Sequence, residues 1–96
     1  MQDLMKSKRI PDYDVVFYDG FLTIIYKSWF LKRLKVERIM LDPEYTEAIT
    51  LADIAKRYPT VTMVVYENWL HGSVFKYKNH RENDDWELVG TTVGFA

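Results

Sequence analysis

The chain has 96 residues, of which 48% are hydrophobic and 28% are charged, and its formal net charge is −1. This length allows one domain, because two separate cores of half the size would each bury too little surface. The composition excludes a disordered chain, and the absence of cysteine excludes disulfide frameworks, thiol nucleophiles and zinc sites built on thiolate.

Hydropathy and charge indicate where in the cell the protein is expected and which classes of partner are unfavoured. No apolar run reaches the roughly 18 residues of a membrane helix, and the N-terminus lacks the apolar segment of a secretory signal, so we expect a cytoplasmic protein with no membrane contact. Small cysteine-free chains of this kind are common in bacteria and their phages. An isoelectric point near 6.1 makes nucleic acid an unfavoured partner, because nucleic-acid binding usually requires a strongly basic domain.

The N-terminal part predicts an arm and then a hairpin. Residues 1–12 are interpreted as a flexible arm, and residues 13–96 as a single α+β domain. The sequence YDVVFYDGFLTIIY, residues 13–26, places Asp19 and Gly20 between two apolar runs, which predicts a β-hairpin with a type I′ turn. Tyr18 and Phe21 then form an aromatic pair outside the core. The other face of the hairpin is assigned to the core: Tyr13, Val15, Phe17, Leu22, Ile24 and Tyr26.

The next segment allows two interpretations. The first is a helix starting at Ser28. The second, favoured by the alternation of apolar and polar residues from Leu34 onward, is a turn or short helical piece at 28–33 followed by a strand at about 35–41. In this strand Leu34, Val36 and Met40 share one side. Asp42 and Pro43 end it, because proline cannot donate to a strand ladder.

Residues 50–58 predict the one helix. Thr50 and Asp53 have the spacing of a capping box, an apolar stripe follows, and Pro59 ends the helix. The stretch TLADIAKR, residues 50–57, resembles the first helix of the helix-turn-helix in lac-repressor-type transcription factors. That resemblance implies a second, DNA-reading helix near Thr60. Only Tyr58 and Pro59 separate the two segments, however, and TVTMVVY is a better strand than helix.

The C-terminal part predicts a second hairpin and a final strand. The strands are expected at 61–67, 73–79 and about 86–93, with Gly90 and Gly94 at a bulge or bend. The predicted fold is therefore an antiparallel sheet of five or six strands, with the short helix packed on one face.

The loop ENWLHG, residues 67–72, suggests a binding surface. Trp69 and Leu70 occupy what should be a polar hairpin tip, and tryptophan is enriched among interface hot spots. Together with Tyr18 and Phe21 they are the candidate partner-binding residues. The alternative is that Trp69 folds back to plug the open end of the sheet.

A second candidate surface is the basic-aromatic stretch 27–38. Cations can follow phosphates while rings stack on bases, as in proteins that bind single-stranded nucleic acid. The alternative is a solvated rim around a core that includes Trp29 and Phe30. The candidate nucleic-acid-binding residues are Lys27, Lys32, Arg33, Lys35 and Arg38.

Nothing in the sequence indicates catalysis. His71 and His80 have no serine or carboxylate in a recognisable nucleophile arrangement, and the loop with His80, Glu82, Asp84 and Asp85 lacks the spacing of an EF-hand. We expect no enzyme activity, no cofactor and no metal. The expected function is a small non-enzymatic cytosolic protein-interaction module, acting through the sheet edge and loop aromatics and able to form a homodimer. The alternative is a nucleic-acid-binding protein.

Overall fold

The computed structural model describes residues 8–10, 15–28, 30, 33–80 and 85–93, and it confirms the α+β class. Six antiparallel strands form one sheet in the order β1-β8-β7-β6-β3-β4, and β2 and β5 form a second, two-stranded sheet. One short helix, α1, lies between β5 and β6. The elements are β1 Lys8–Ile10, β2 Val16–Phe17, β3 Gly20–Lys27, β4 Leu34–Leu41, β5 Ile49–Thr50, α1 Leu51–Arg57, β6 Val61–Asn68, β7 Ser73–His80 and β8 Asp85–Val93.

The N-terminal segment takes part in the large sheet. The sequence analysis places residues 8–10 in the arm, and in the structure they form β1, which pairs with β8 from Trp86 to Leu88. Residues 1–7 and 11–14 lie outside the described residues, as does Tyr13 of the predicted core face.

The predicted pairing of residues 13–26 as a hairpin is wrong. Both edges of β3 are occupied by eight-residue strands, β4 on one side and β6 on the other. Val16 and Phe17 pair instead with Thr50 and Ile49 of β5. The Asp19–Gly20 bend therefore carries the chain from one sheet to the other, because the long strands offer β3 many more backbone hydrogen bonds than β2 can.

The assignment of core residues within this segment is confirmed all the same. Phe17, Leu22 and Ile24 are completely buried, and Val15 and Tyr26 pack partly buried against them. The Phe17 ring lies 4.7 Å from the Tyr66 ring and 5.6 Å from the Tyr77 ring, measured between centroids. β2 thus contributes the Phe17 side chain to the core, where it packs on residues of the large sheet.

The helix forms where it is predicted. The Asp53 backbone N–H donates to Thr50 Oγ1 at 3.1 Å, and the Thr50 N–H donates to Asp53 Oδ2 at 3.0 Å, which completes the capping box. This last hydrogen bond holds the pKa of the Asp53 carboxyl below its ordinary value. Leu51 and Ile54 face the core. In the described part of the chain, no helix is long and apolar enough to cross a membrane.

The strands after α1 also agree with the sequence analysis. β6 begins at Val61, directly after the short turn that follows α1, so the second helix implied by the helix-turn-helix resemblance is absent there. β6 and β7 form the predicted hairpin. The register of β7 against β8 shifts between Lys76, opposite Gly90, and Tyr77, opposite Leu88, which places a bulge beside Gly90 as predicted. Gly94 lies outside the described residues.

Candidate interaction sites

The large sheet has one covered face and one open face. The core side chains of β3, β6, β7 and β8 meet those of α1, β2 and β5 on the covered face. Because side chains alternate along a strand, the neighbours of these core residues point to the opposite face. Among the described elements, none lies over that face. The apolar side chains of the open face include Phe21, Ile25, Leu34, Val36, Met40, Met63 and Val65.

β4 is the exposed edge of this sheet. It pairs only with β3, so its outer backbone groups have no strand partner among the described residues. Leu34, Val36 and Met40 are 61%, 64% and 56% exposed. Lys35 and Glu37, on the other face of β4, are exposed as well. For most of its length β4 therefore extends beyond the core, with both of its faces accessible.

An aromatic cluster lies on the open face beside β4. The rings of Phe21 and Trp69 meet edge to face with 4.9 Å between centroids. The Arg38 guanidinium carbon lies 4.2 Å from the centroid of Phe21, and Arg38 forms an ion pair with Glu67 at 3.6 Å. Trp69 is 52% exposed, so it does not plug the core. The cluster instead offers an aromatic and cationic surface next to the sheet edge.

Hydrogen bonds to Asp19 hold the loop that carries Trp69. An Asp19 carboxylate oxygen accepts from the Leu70 N–H at 2.9 Å. The Tyr66 hydroxyl donates to the Asp19 carbonyl oxygen at 2.7 Å and accepts from the Asn68 side-chain amide at 2.7 Å. This network brings the 18–21 bend and the 68–71 loop together. The structure thereby gathers all four candidate partner-binding residues around one bend, with Tyr18 and Leu70 exposed.

The candidate nucleic-acid-binding residues do not share one surface. Lys35 lies opposite Tyr26 and faces the covered side, whereas Arg38 lies opposite Thr23 and faces the open side. Arg38 is also engaged with Glu67. Arg33 is exposed in the bend before β4, and Lys32 lies outside the described residues. Trp29 also lies outside them, and Phe30 is 86% exposed.

Lys27 and Lys35 instead line a cleft between the β3–β4 end of the sheet and the C-terminal end of α1. We call it the basic cleft. Its volume is about 530 Å³, within the range of small-molecule sites. It is lined by three cations, two tyrosines and three small residues: Lys27, Lys35, Arg57, Tyr26, Tyr58, Ser28, Pro59 and Thr60.

Two hydrogen bonds between Lys27 and Thr60 join β3 to the turn after α1 beside the basic cleft. Thr60 Oγ1 donates to the Lys27 carbonyl oxygen at 2.6 Å, and the Lys27 N–H donates to the Thr60 carbonyl oxygen at 3.3 Å. The Tyr26 and Tyr58 rings pack with 5.0 Å between centroids. Burial raises the pKa of Tyr58, and the Glu37 carboxylate adds to this rise.

The two histidines are not arranged as a catalytic pair. His80 contacts the Glu87 carboxylate across neighbouring strands. His71 is exposed in the loop, where its N–H donates to Asn68 Oδ1 at 2.8 Å. In the described ranges no three His, Asp or Glu side chains gather as metal ligands would. Glu82 and Asp84 lie outside those ranges.

Comparison with models of protein families, with curated proteins and with solved structures gives no match. The sequence analysis placed Leu34, Val36 and Met40 on one side of a strand but did not propose them as contacts. Their alternation with Lys35 and Glu37 was the available signal for an edge strand. No sequence signal joins Arg57 and Tyr58 to Lys27, because they meet only through the fold.

Proposed function

We propose that the protein is a non-enzymatic cytosolic interaction module that self-associates by pairing β4 with β4 of a second copy. The observation that carries this proposal is the open eight-residue edge of β4, exposed on both faces. Unpaired edge strands are ready templates for another strand, and soluble proteins usually protect them with short length, proline or a covering element. Along Leu34–Leu41 β4 has no proline and no covering element among the described residues. Its charges, which protect an edge against strands in general, can pair with the opposite charges of a second copy.

The charges of β4 favour a second copy as its partner and favour one register of pairing. We place the twofold axis of the dimer perpendicular to the sheet, between the two β4 strands. Each face of one sheet then continues into the same face of the other, so two residues that lie opposite each other must point to the same face. Centring the pairing on Val36 places Lys35 opposite the partner's Glu37. Centring it on Glu37 or Arg38 brings two like charges face to face, which is unfavourable. The favoured register therefore has Val36 on the axis.

The aromatic cluster extends the contact surface on the open face. In this register Leu34 of one copy lies opposite the partner's Arg38, and Arg38 already covers Phe21. Pairing thus joins the exposed side chains of two β4 edges to two aromatic clusters. The joined surface has Val36 at its centre and an arginine with aromatic rings on each side, residue types that are enriched in protein interfaces.

Light scattering on a sizing column tests the proposal. We expect a molar mass of twice the 11.5 kDa of one chain at high protein concentration. Val36→Lys places two ammonium groups at the axis and should give single chains. Val16→Lys is the matched control, because Val16 is also partly exposed, at 47%, but lies in β2. A single-chain mass for the unaltered protein at every concentration would contradict the proposal.

Charge reversal tests the register itself. Lys35→Glu should weaken self-association because it brings carboxylates together, and Glu37→Lys should do the same with ammonium groups. The double variant Lys35→Glu with Glu37→Lys restores the opposite charges and should restore the dimer. If the double variant dissociates as much as either single variant, then Lys35 and Glu37 do not meet across the interface.

A further inference from the structure

We infer that the basic cleft binds a nucleotide, with its phosphate held by Lys35 and Arg57 and its base against Tyr26 and Tyr58. This site shares Lys35 with the proposed self-association through β4, but Arg57 and both tyrosines lie outside that strand. It also differs from the basic stretch 27–38, since Arg57 and Tyr58 come from the end of α1.

The charges of the cleft favour an anion. All three cations are exposed at its wall, and none forms an ion pair with a carboxylate of the described residues. Arg57 acts on Asp53 one turn earlier in the helix, but only as a nearby charge. Glu37 is an acidic group near Tyr58, and among the described residues no carboxylate lines the cleft. Lys35 faces the covered side, where the cleft lies, whereas Lys27, opposite Leu34, faces the open side. Lys35 and Arg57 are therefore the cations that match a phosphate, which accepts several charge-assisted hydrogen bonds.

The remaining walls favour a planar ring beside that anion. Tyr26 is half-buried at the end of β3, and Tyr58 is half-buried after the helix. The two rings pack on each other, and the hydrogen bond from Thr60 Oγ1 to the Lys27 carbonyl oxygen holds the neighbouring backbone. Both rings are therefore held in place without a ligand. Aromatic side chains that are already ordered are favourable stacking platforms for a base. Phosphate and base together define the ligand class as a nucleotide, either free or within a single strand.

Calorimetric titration with adenosine 5′-monophosphate tests this site. We expect one binding event per chain, with adenosine and ribose 5-phosphate each binding more weakly because one lacks the phosphate and the other the base. Arg57→Gln and Lys35→Gln should each weaken binding about tenfold, since each removes one charge-assisted hydrogen bond. Lys56→Gln is the matched control, because Lys56 is the neighbouring exposed cation and does not line the cleft.

A short oligothymidylate distinguishes the two sources of the nucleotide. Tighter binding of the oligonucleotide, lost in the same two variants, assigns the site to a nucleotide within a strand. Tighter binding of the monophosphate assigns it to a free nucleotide. The inference is overturned if neither probe binds, if Lys56→Gln weakens binding as much as Arg57→Gln, or if ribose 5-phosphate binds as tightly as the monophosphate. Arg57 lies outside β4, so the result for Arg57→Gln does not depend on the oligomeric state.

Discussion

The indole of Trp69 meets the ring of Phe21 edge to face, and this contact joins the β6–β7 loop to the open face of the large sheet. The loop is further held by the hydrogen bond from the Leu70 N–H to Asp19. Trp69 is therefore positioned without being buried. Such a side chain presents a large, ordered contact area, and ordering it in advance reduces the entropy lost when a partner binds.

Replacing Trp69 should affect stability much less than replacing Trp86. Trp69→Ala removes a half-exposed ring and one aromatic contact, so we expect a loss of about 1 kcal/mol in the free energy of unfolding. Trp86 is completely buried, and Trp86→Ala should lose about 3 to 5 kcal/mol. Urea unfolding of both variants measures the difference. Equal losses would show that Trp69 is a core residue.

Gly20 lies where the backbone leaves no room for a side chain. Its φ is +121°, and a Cβ there would lie 1.8 Å from the Glu67 carbonyl oxygen. Gly20→Ala should therefore destabilise the fold by about 3 kcal/mol or more. At Gly90 the nearest atom to an added Cβ is a Lys76 side-chain carbon at 3.5 Å, an ordinary contact. Gly90→Ala should change stability little, and similar thermal melts for the two variants would refute the close approach at Gly20.

The Tyr66 hydroxyl joins the bend to the loop, and its removal should be measurable. Tyr66→Phe leaves the buried Asn68 amide without this acceptor, and we expect a loss of about 1 to 3 kcal/mol. Tyr77 is the control, because its hydroxyl has no hydrogen bond to a described residue. Tyr77→Phe should change stability by about 1 kcal/mol or less. Denaturant unfolding that ranks the two variants in the opposite order would contradict the role of Tyr66.

Alkaline pH should destabilise the protein through Tyr77. Burial raises the pKa of this phenol from 10.0 to about 12, so the unfolded chain releases the proton first. The free energy of unfolding should therefore fall between about pH 10 and pH 12, by about 3 kcal/mol in total. Tyr77→Phe should reduce this fall, although Tyr58, whose pKa is also raised, still contributes. An unchanged pH profile in Tyr77→Phe would show that Tyr77 titrates normally.

The sequence predicts the elements of this fold better than their partners. The capping box at Thr50 and the alternation in β4 and β7 are local signals, and the structure contains all three elements. The Asp19–Gly20 pair is also a local signal, but it does not tell which strand β3 will join. That choice depends on the total pairing available from β4 and β6. A two-residue strand such as β2 has no periodicity from which a partner could be predicted.

The candidate sites show the same division. A tryptophan such as Trp69 is unusual at a hairpin tip, so the sequence alone marks it as a candidate contact residue. The basic cleft is different, because Lys35 and Arg57 are far apart in the chain and line one cleft only through the fold. Sequence reasoning grouped the cations by their order in the chain, whereas the strand alternation sends Lys35 and Arg38 to opposite faces.

Disulfide trapping tests the β4 pairing most directly. The chain has no cysteine, so a single introduced thiol can form a disulfide only between copies. Residues directly opposite in an antiparallel pair have Cα atoms about 4.5 to 5.5 Å apart, which suits a disulfide. Two copies of Arg38 would lie about 13 Å apart in the same register. We therefore expect oxidised Val36→Cys to migrate as a covalent dimer on non-reducing electrophoresis, and Arg38→Cys to remain a single chain. A single-chain band for Val36→Cys, or equal dimer in both variants, would contradict self-association through β4 centred on Val36.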